Sequence, residues 1–386
     1  MAEAYIVAAA RTAGGRRNGR LAGWHPVDLG AAVIDSVVAR AGIPGDAVDD
    51  VILGCVTQAG EQSMHVGRNV VLASGLPQSV PAVTIDRQCG SSQQAIQFAA
   101  QAVMSGTQDI VIAAGTESMT RVPMGAALLR DTGIDPLPRS IKDRFGVGSF
   151  SQFGGAEMIA KKWGFTRDQL DAFGLESHLR AQAATRSGAF DAEIVPIAIE
   201  TAEGTEMHVV DEGIRWDASP EGMAKVKLLT EGGVITAATS SQITDGASAV
   251  VIASADAVKR HGLTPLARIV SMTVTAGDPV VMLEEPLFAT TKALGKAGMT
   301  IEDIDLYEVN EAFAPVPMAW LKHTGADPAK LNVNGGAIAL GHPLGASGTK
   351  LMATLVHGLR ARGKRYGLQT MCEGGGIANV TIVEAL

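Results

Sequence analysis

Three short segments, far apart in the chain, each carry a group that acyl transfer needs. Asp86-Arg87-Gln88-Cys89-Gly90-Ser91-Ser92 offers a thiol. Gly341-His342-Pro343-Leu344-Gly345-Ala346-Ser347-Gly348 offers an imidazole. Met371-Cys372-Glu373-Gly374-Gly375-Gly376 offers a second thiol beside three glycines. Cys89 directly precedes a helical run, Gly90 to Ser105, closed by Gly106. A helix N-terminus presents free N–H groups and the positive end of the dipole, so the spacing predicts a thiol pKa below its usual ~8.5. The same N–H groups could hold an oxyanion. Taken alone, Cys89 reads either as a nucleophile or as a buried structural cysteine. Cys55, in strand context after Gly54, reads as structural.

His342 precedes Pro343, which restricts its backbone to an extended form. A fixed imidazole is what activates a thiol, although a lone histidine in a glycine loop also reads as a turn residue. No two of the 8 histidines have metal-ligand spacing, so no metal site is expected. Cys372 could pair with the first thiol or move a proton at a carbon next to a thioester. Gly374–Gly376 would let N–H groups reach the thioester oxygen, or would simply make a tight turn. Asn310-Glu311-Ala312-Phe313 follows an expected strand and opens an expected helix, where Asn310 or Glu311 could merely cap. Gly345 to Lys350 lacks the spacing of a phosphate loop.

The elements that must position these groups alternate. Apolar strands are expected at Tyr5–Ala9, Val51–Leu53, Val83–Ile85, Ile110–Ala114, Ala249–Ala253, Ile269–Thr273, Ile304–Val309, Leu368–Cys372 and Val380–Val383. Helices are expected at Val27–Ala41, Ser91–Met104, Arg167–Arg186, Ala289–Ala297, Ala312–His323 and Ala346–Leu359. Continuous apolar strands alternating with helices indicate covered sheets in an α/β protein. The order repeats. Val27–Gly42 and Val48–Gly54 match Leu287–Gly298 and Ile301–Tyr307, and the helix opened at Cys89 matches the one opened at Gly345. Asp245–Ile252 resembles Gly375–Ile382. The match is clean if about residues 120 to 243, polar and rich in Pro, Gly and Arg, are an insertion in the first half. Two such halves about a pseudo-twofold axis would bring Cys89 and His342 together at the centre.

Composition bounds the rest. With 386 residues, 46% hydrophobic and 19% charged, the chain has ample core. A net charge of −8 without basic runs argues against a nucleic-acid partner. Only 3 cysteines argue for a reducing compartment rather than a disulfide scaffold. No apolar stretch is long enough to span a bilayer, so no membrane partner is expected. Met1-Ala2-Glu3-Ala4 shows no secretory signal and Val383-Glu384-Ala385-Leu386 is not a peroxisomal address, so a cytoplasmic location is expected.

These segments together resemble the thiolase family along the whole length. The resemblance implies a duplicated, five-layered αβαβα fold with an inserted loop domain. Its implied boundaries are 1–120 plus 244–264 for the N-terminal half, 121–243 for the loop domain and 265–386 for the C-terminal half. It implies that Cys89 is the acylated nucleophile, His342 its base and Cys372 the proton carrier. Asn310 would position a water in one oxyanion hole with His342, and the backbone N–H groups of Cys89 and Gly374 would form the other. Arg215, Ser241, Met282 and Phe313 would contact coenzyme A or the acyl group. Coenzyme A would be a co-substrate, with no bound cofactor and no metal, in a homodimer or homotetramer.

The activity implied is thiolytic cleavage of 3-oxoacyl-CoA, or the reverse condensation. Alternatives are an acetoacetyl-CoA-specific acetyltransferase, a ketosynthase-type condensing enzyme, and a non-catalytic acyl-CoA-binding or lipid-transfer protein. Cys372 speaks against the ketosynthase, and the presence of Cys89, His342 and Cys372 together against the silent protein. Three positions depart from the family's pattern. Ser151-Gln152-Phe153 stand where many acetoacetyl-CoA thiolases have His-Met-Gly. Glu373 replaces an apolar residue, and Glu284-Glu285 are expected to add charge near the acyl-pocket wall. The Cys89 and Cys372 segments look like those of actinobacterial thiolases of lipid and sterol breakdown.

Overall fold

The structure is a computed structural model that describes residues 3–128 and 132–386; Met1 and Ala2, part of the segment read above for a leader, lie outside them. Two half-sheets carry the fold. In the first the order is Ala82–Ile85, Asp50–Gly54, Ile110–Ser118, Thr244–Ser254, Ala4–Thr12. In the second it is Leu306–Val309, Tyr366–Glu373, Ile377–Ala385, Ala267–Ala276. The pairings repeat as well. Asp50–Gly54 runs parallel to Ile110–Ser118, which runs antiparallel to Thr244–Ser254. Leu306–Val309 likewise runs parallel to Tyr366–Glu373, which runs antiparallel to Ile377–Ala385. The counterpart of Ala82–Ile85 shrinks to a single parallel bridge, Tyr307 to Leu331. Residues matched by sequence between the halves therefore occupy matching places in the two sheets.

The halves meet edge to edge where Tyr5 and Ile6 face Arg268 and Ala267. Between them lie the helices Ser91–Ser105 and Ser347–Ala361, packed on each other and on strands of both halves. Their apolar faces, Ala95, Ile96, Ala99 and Val103 against Met352, Ala353, Val356 and Leu359, share one core cluster with Ile6, Val250 and Val383. Burying an aliphatic side chain of this size stabilises by roughly 1.5–3 kcal/mol. Outside the sheets, Pro26–Ala41 covers the first and Glu285–Ala297 the second, each with its own core. The result is five layers, helix–sheet–helices–sheet–helix, with the expected strands and helices all present.

Polar side chains tie the halves together inside this core. Gln93 Nε2 donates to Gln369 O at 3.1 Å, and Gln97 Nε2 donates to Val380 O at 2.9 Å. Thr349 N donates to Ser92 Oγ at 3.0 Å, linking the two central helices near their starts. Between Ser118 and Thr244 the chain builds the helices Gln152–Trp163 and Arg167–Arg186 and the hairpin Ile197–Thr201 with Gly204–His208. The second helix opens with a capping box of Thr166 and Gln169. This segment touches the main sheet through Ile194 and Val195 beside Arg11 and Thr12.

Candidate active site

Cys89 lies on a turn whose backbone is wound tightly. Gln88 has φ 50°, rare for a residue with a side chain. The turn is closed by Gly90 N to Arg87 O at 3.1 Å and by Ser91 N to Gln88 O at 3.0 Å. Ser91 Oγ accepts from Arg87 N at 2.9 Å, locking the same loop from its side chain. Ser91 begins the helix, so the thiol stands just ahead of its N-terminus. The thiol is buried and packs with Met119, Leu344, Leu351 and Met371. Leu344 follows His342 by two residues and Met371 precedes Cys372. All three sequence segments thus converge, and the Cys372 thiol feels the charge of Cys89.

The electrostatics correct one expectation. Burial pushes the Cys89 thiol up to about 12, with Glu373 adding to the rise, and only a backbone N–H opposes them. The helix terminus does not lower this pKa, because burial outweighs it. Burial also raises Cys372 well above an ordinary thiol. His342 moves the other way, down to about 3, through burial and the nearby Lys350 cation. The pair is therefore a neutral thiol and a neutral imidazole. In that state the imidazole can accept a proton.

His342 is held on every side. Its backbone N donates to Thr244 Oγ1 at 3.0 Å. Its Nδ1 lies 2.5 Å from Ser347 Oγ, and its Nε2 lies 3.4 Å from Asn310 Nδ2. Gly341 before it has φ 80°, and a Cβ there would overlap the Thr244 side chain, so the approach requires glycine. The buried Lys350 ammonium donates to Leu340 O at 2.5 Å and Gly341 O at 3.1 Å, anchoring the loop from beneath. Asn310 Oδ1 is buried without a protein partner, free to accept from a bound water or ligand. Gly374 lies against the Gln88 side chain, beside the turn that carries Cys89.

Glu117, unnoticed in the sequence, joins the two halves here. Its buried carboxylate accepts from Val56 N at 2.8 Å, Thr57 N at 3.0 Å, Gly345 N at 2.9 Å and Gln62 Nε2 at 3.1 Å. It pins the loop after Cys55 to the loop after His342. A glutamate inside the apolar strand Ile110–Ser118 was the available signal. Ser347 and Lys350 gave no separate signal in the sequence; both sit in the stretch Gly345 to Lys350, which lacks the spacing of a phosphate loop.

A cavity of about 730 Å³ opens above His342 and Leu344. Arg215, Ser241, Phe313 and the Ser151-Gln152-Phe153 segment all line it. Phe153 stacks edge-on against Phe313 with ring centroids 5.5 Å apart. Met282 does not line it. It is buried in the second core, near Gly155. The expected charge from Glu284-Glu285 is likewise absent from the wall. Glu284 accepts from Lys162 Nζ at 2.7 Å and Trp163 Nε1 at 2.8 Å, which draw its carboxylate to the helix Gln152–Trp163. Glu285 packs against Gly277.

A buried thiol ahead of a helix, a neutral imidazole fixed beside an asparagine, and a second thiol within reach of the first thiol's charge come together on a duplicated α/β fold. The family profile for the thiolase N-terminal domain matches residues 4–256, and that for the thiolase C-terminal domain matches residues 263–385. A steroid 3-ketoacyl-CoA thiolase of Mycobacterium tuberculosis is 54% identical over 391 residues, covering 100% of this chain and 95% of that protein. An acetyl-CoA acetyltransferase of Chromobacterium violaceum is 41% identical, covering 99% of each chain. The crystal structure of human mitochondrial 3-ketoacyl-CoA thiolase superposes with a TM-score of 0.90 at 37% identity, over 100% of this chain and 99% of that one. The chain belongs to the thiolase family and is an acyltransferase.

Proposed function

We propose that this thiolase cleaves 3-oxoacyl-CoA with coenzyme A as co-substrate, through an acyl group carried on Cys89. The convergence of Cys89, Cys372 and the neutral His342 beneath one cavity carries this reading. His342 Nε2 takes the Cys89 proton and the thiolate attacks the 3-keto carbon. The oxyanion formed there is met by N–H donors. The carbon–carbon bond then breaks, and Cys372 gives its proton to the departing acetyl-CoA carbon. Free coenzyme A next attacks acyl-Cys89 while Cys372 takes the thiol proton. Asn310 with His342 holds the thioester oxygen through a water, and the N–H groups of Cys89 and Gly374 serve the second oxygen. Arg215 and Ser241 contact coenzyme A along the cavity, and Phe313 contacts the acyl portion.

The substrate is longer or bulkier than acetoacetyl-CoA. Phe150, Phe153, Leu229, Ile243 and Leu344 give the cavity an apolar wall. The similarity to a steroid 3-ketoacyl-CoA thiolase favours a steroid-derived acyl group. Comparing kcat/KM across linear, α-methyl-branched and steroid-derived 3-oxoacyl-CoAs tests this, because specificity is the ratio of those values. A clear preference for acetoacetyl-CoA overturns the large-substrate reading. We assign the segment 121–243 as the loop domain covering coenzyme A, between halves formed by 1–120 with 244–264 and by 265–386. The protein works in the cytoplasm as a homodimer or homotetramer. No helix among the described residues is long and apolar enough to cross a membrane.

A further inference from the structure

Glu373 has no task in the acyl-transfer scheme, yet it sits against the nucleophile's turn. It ends the strand Tyr366–Glu373, directly after Cys372, and is 0% exposed. Neither carboxyl oxygen has a hydrogen-bond partner of good geometry, and the Asn379 backbone N–H that faces them opposes burial less than Arg87 does. Oε1 lies so close to Gly90 that a Cβ there would overlap it. On the same glycine, Asn379 Nδ2 donates to Gly90 O at 3.1 Å, while Asn379 Oδ1 is also unpartnered. A buried carboxylate without partners is costly, so such a group keeps its proton. An apolar side chain would fill this place without that cost.

We propose that Glu373 is a proton-linked brake on Cys89: neutral, it lets the thiol ionise, and ionised, it holds the thiol protonated. This rests on the reading of Cys89 as the nucleophile. The two acids share one buried site, and the second negative charge there is opposed by the first. The charged and titratable groups facing the pair are Arg87, which attracts the carboxylate, Cys372, the neutral His342 that is read as the base of Cys89, and the more distant Glu117 and Asp86, which add negative charge. Glu117 is held by N–H donors from Val56, Thr57 and Gly345, which oppose the effect of its burial. Burial pushes Glu373 up to about 8, against the pull of Arg87. With rising pH the carboxyl loses its proton to solvent first, and the thiol follows later than it would alone. Glu373 is a positioning residue in this scheme, acting through the thiol and not on substrate.

The test is the rate of iodoacetamide alkylation of Cys89 against pH, with the label located by peptide mapping. The wild-type profile is expected to show two inflections, one for each acid. Glu373→Gln keeps the shape and removes the charge. It is expected to move the thiol titration down by about one unit, alkylating roughly tenfold faster well above pH 8, where the wild-type carboxyl is ionised, and only about twofold faster at pH 8 itself. Glu373→Met should do the same, whereas Glu373→Asp should restore the two inflections. A wild-type profile without an inflection from the carboxyl overturns the proposal, as does a Gln or Met profile that superposes on the wild type. Label on another cysteine of the wild type overturns the nucleophile reading itself, and the inference with it. Label on Cys89 with an unchanged Gln profile overturns the inference alone.

Discussion

The Nδ1 of His342 lies 2.5 Å from Oγ of Ser347, whose hydroxyl donates in turn to the Pro343 carbonyl at 2.8 Å. A hydroxyl that gives its hydrogen to a carbonyl can only accept from the ring. Nδ1 therefore carries the imidazole hydrogen, and Nε2 keeps its lone pair. Asn310 Nδ2 at 3.4 Å from Nε2 agrees, because an amide N–H needs an acceptor there. Ser347→Ala should thus loosen the tautomer without touching substrate. Steady-state kinetics should show kcat down by about tenfold, the worth of one such hydrogen bond, with KM little changed. A pure KM effect contradicts the assignment.

Acyl-CoA donor mixed with the protein should add its acyl mass to Cys89. Intact-protein mass followed by peptide mapping reads this directly. Modification of Cys55 or Cys372 with Cys89 free is the result that excludes the nucleophile.

Cys372→Ala should still be acylated at Cys89, since His342 is the proposed activating base. Its full turnover should fall by roughly 10²–10⁴, the usual range for a general acid–base. Burst and steady-state phases, followed separately, resolve the two cysteines. Near-normal turnover would remove the proton-carrier role.

His342 held near 3 predicts an absence in the pH profile and a slope in stability. The acylation rate should show no titration near ~6.5, where a free imidazole protonates. The sign for stability follows from linkage. The folded pKa is depressed, so unfolding takes up a proton between the two values. The contribution is complete above ~6.5 and is lost as pH falls toward the folded pKa. Burial and Arg215 lower His178 to about 4, so it acts in the same window. Urea midpoints that stay level from pH 7 to 5 would contradict both.

Lys350→Met should destabilise the loop that carries His342. Two buried carbonyls, Leu340 O and Gly341 O, lose their donor, at about 1–3 kcal/mol for each unsatisfied group. Thermal unfolding should show the loss, together with a lower kcat.

The strands and helices were readable because both halves bury their strands on two faces, leaving continuous apolar runs such as Ile110 to Ala114. The duplication was readable because each copy kept its order. The thiols and the imidazole stood out against glycine. What could not be read was distance. Cys89 beside a helix start suggested an acidic thiol, but the depth of burial, invisible in sequence, decides its pKa in the opposite sense. Glu284 looked like pocket charge until Lys162 and Trp163, some 120 residues earlier, proved to hold it. Glu117 gave no reading in the sequence, because only the fold brings the N–H groups of Val56, Thr57 and Gly345 around it.

The strand bearing Cys372 is paired with Ile377–Ala385, the final strand of the chain, which in turn pairs with Ala267–Ala276. During synthesis Cys89 emerges early, and its base, its proton carrier and the strand that seats that carrier all emerge in the last third. A nascent or truncated chain therefore displays a cysteine with no partner to draw off its proton.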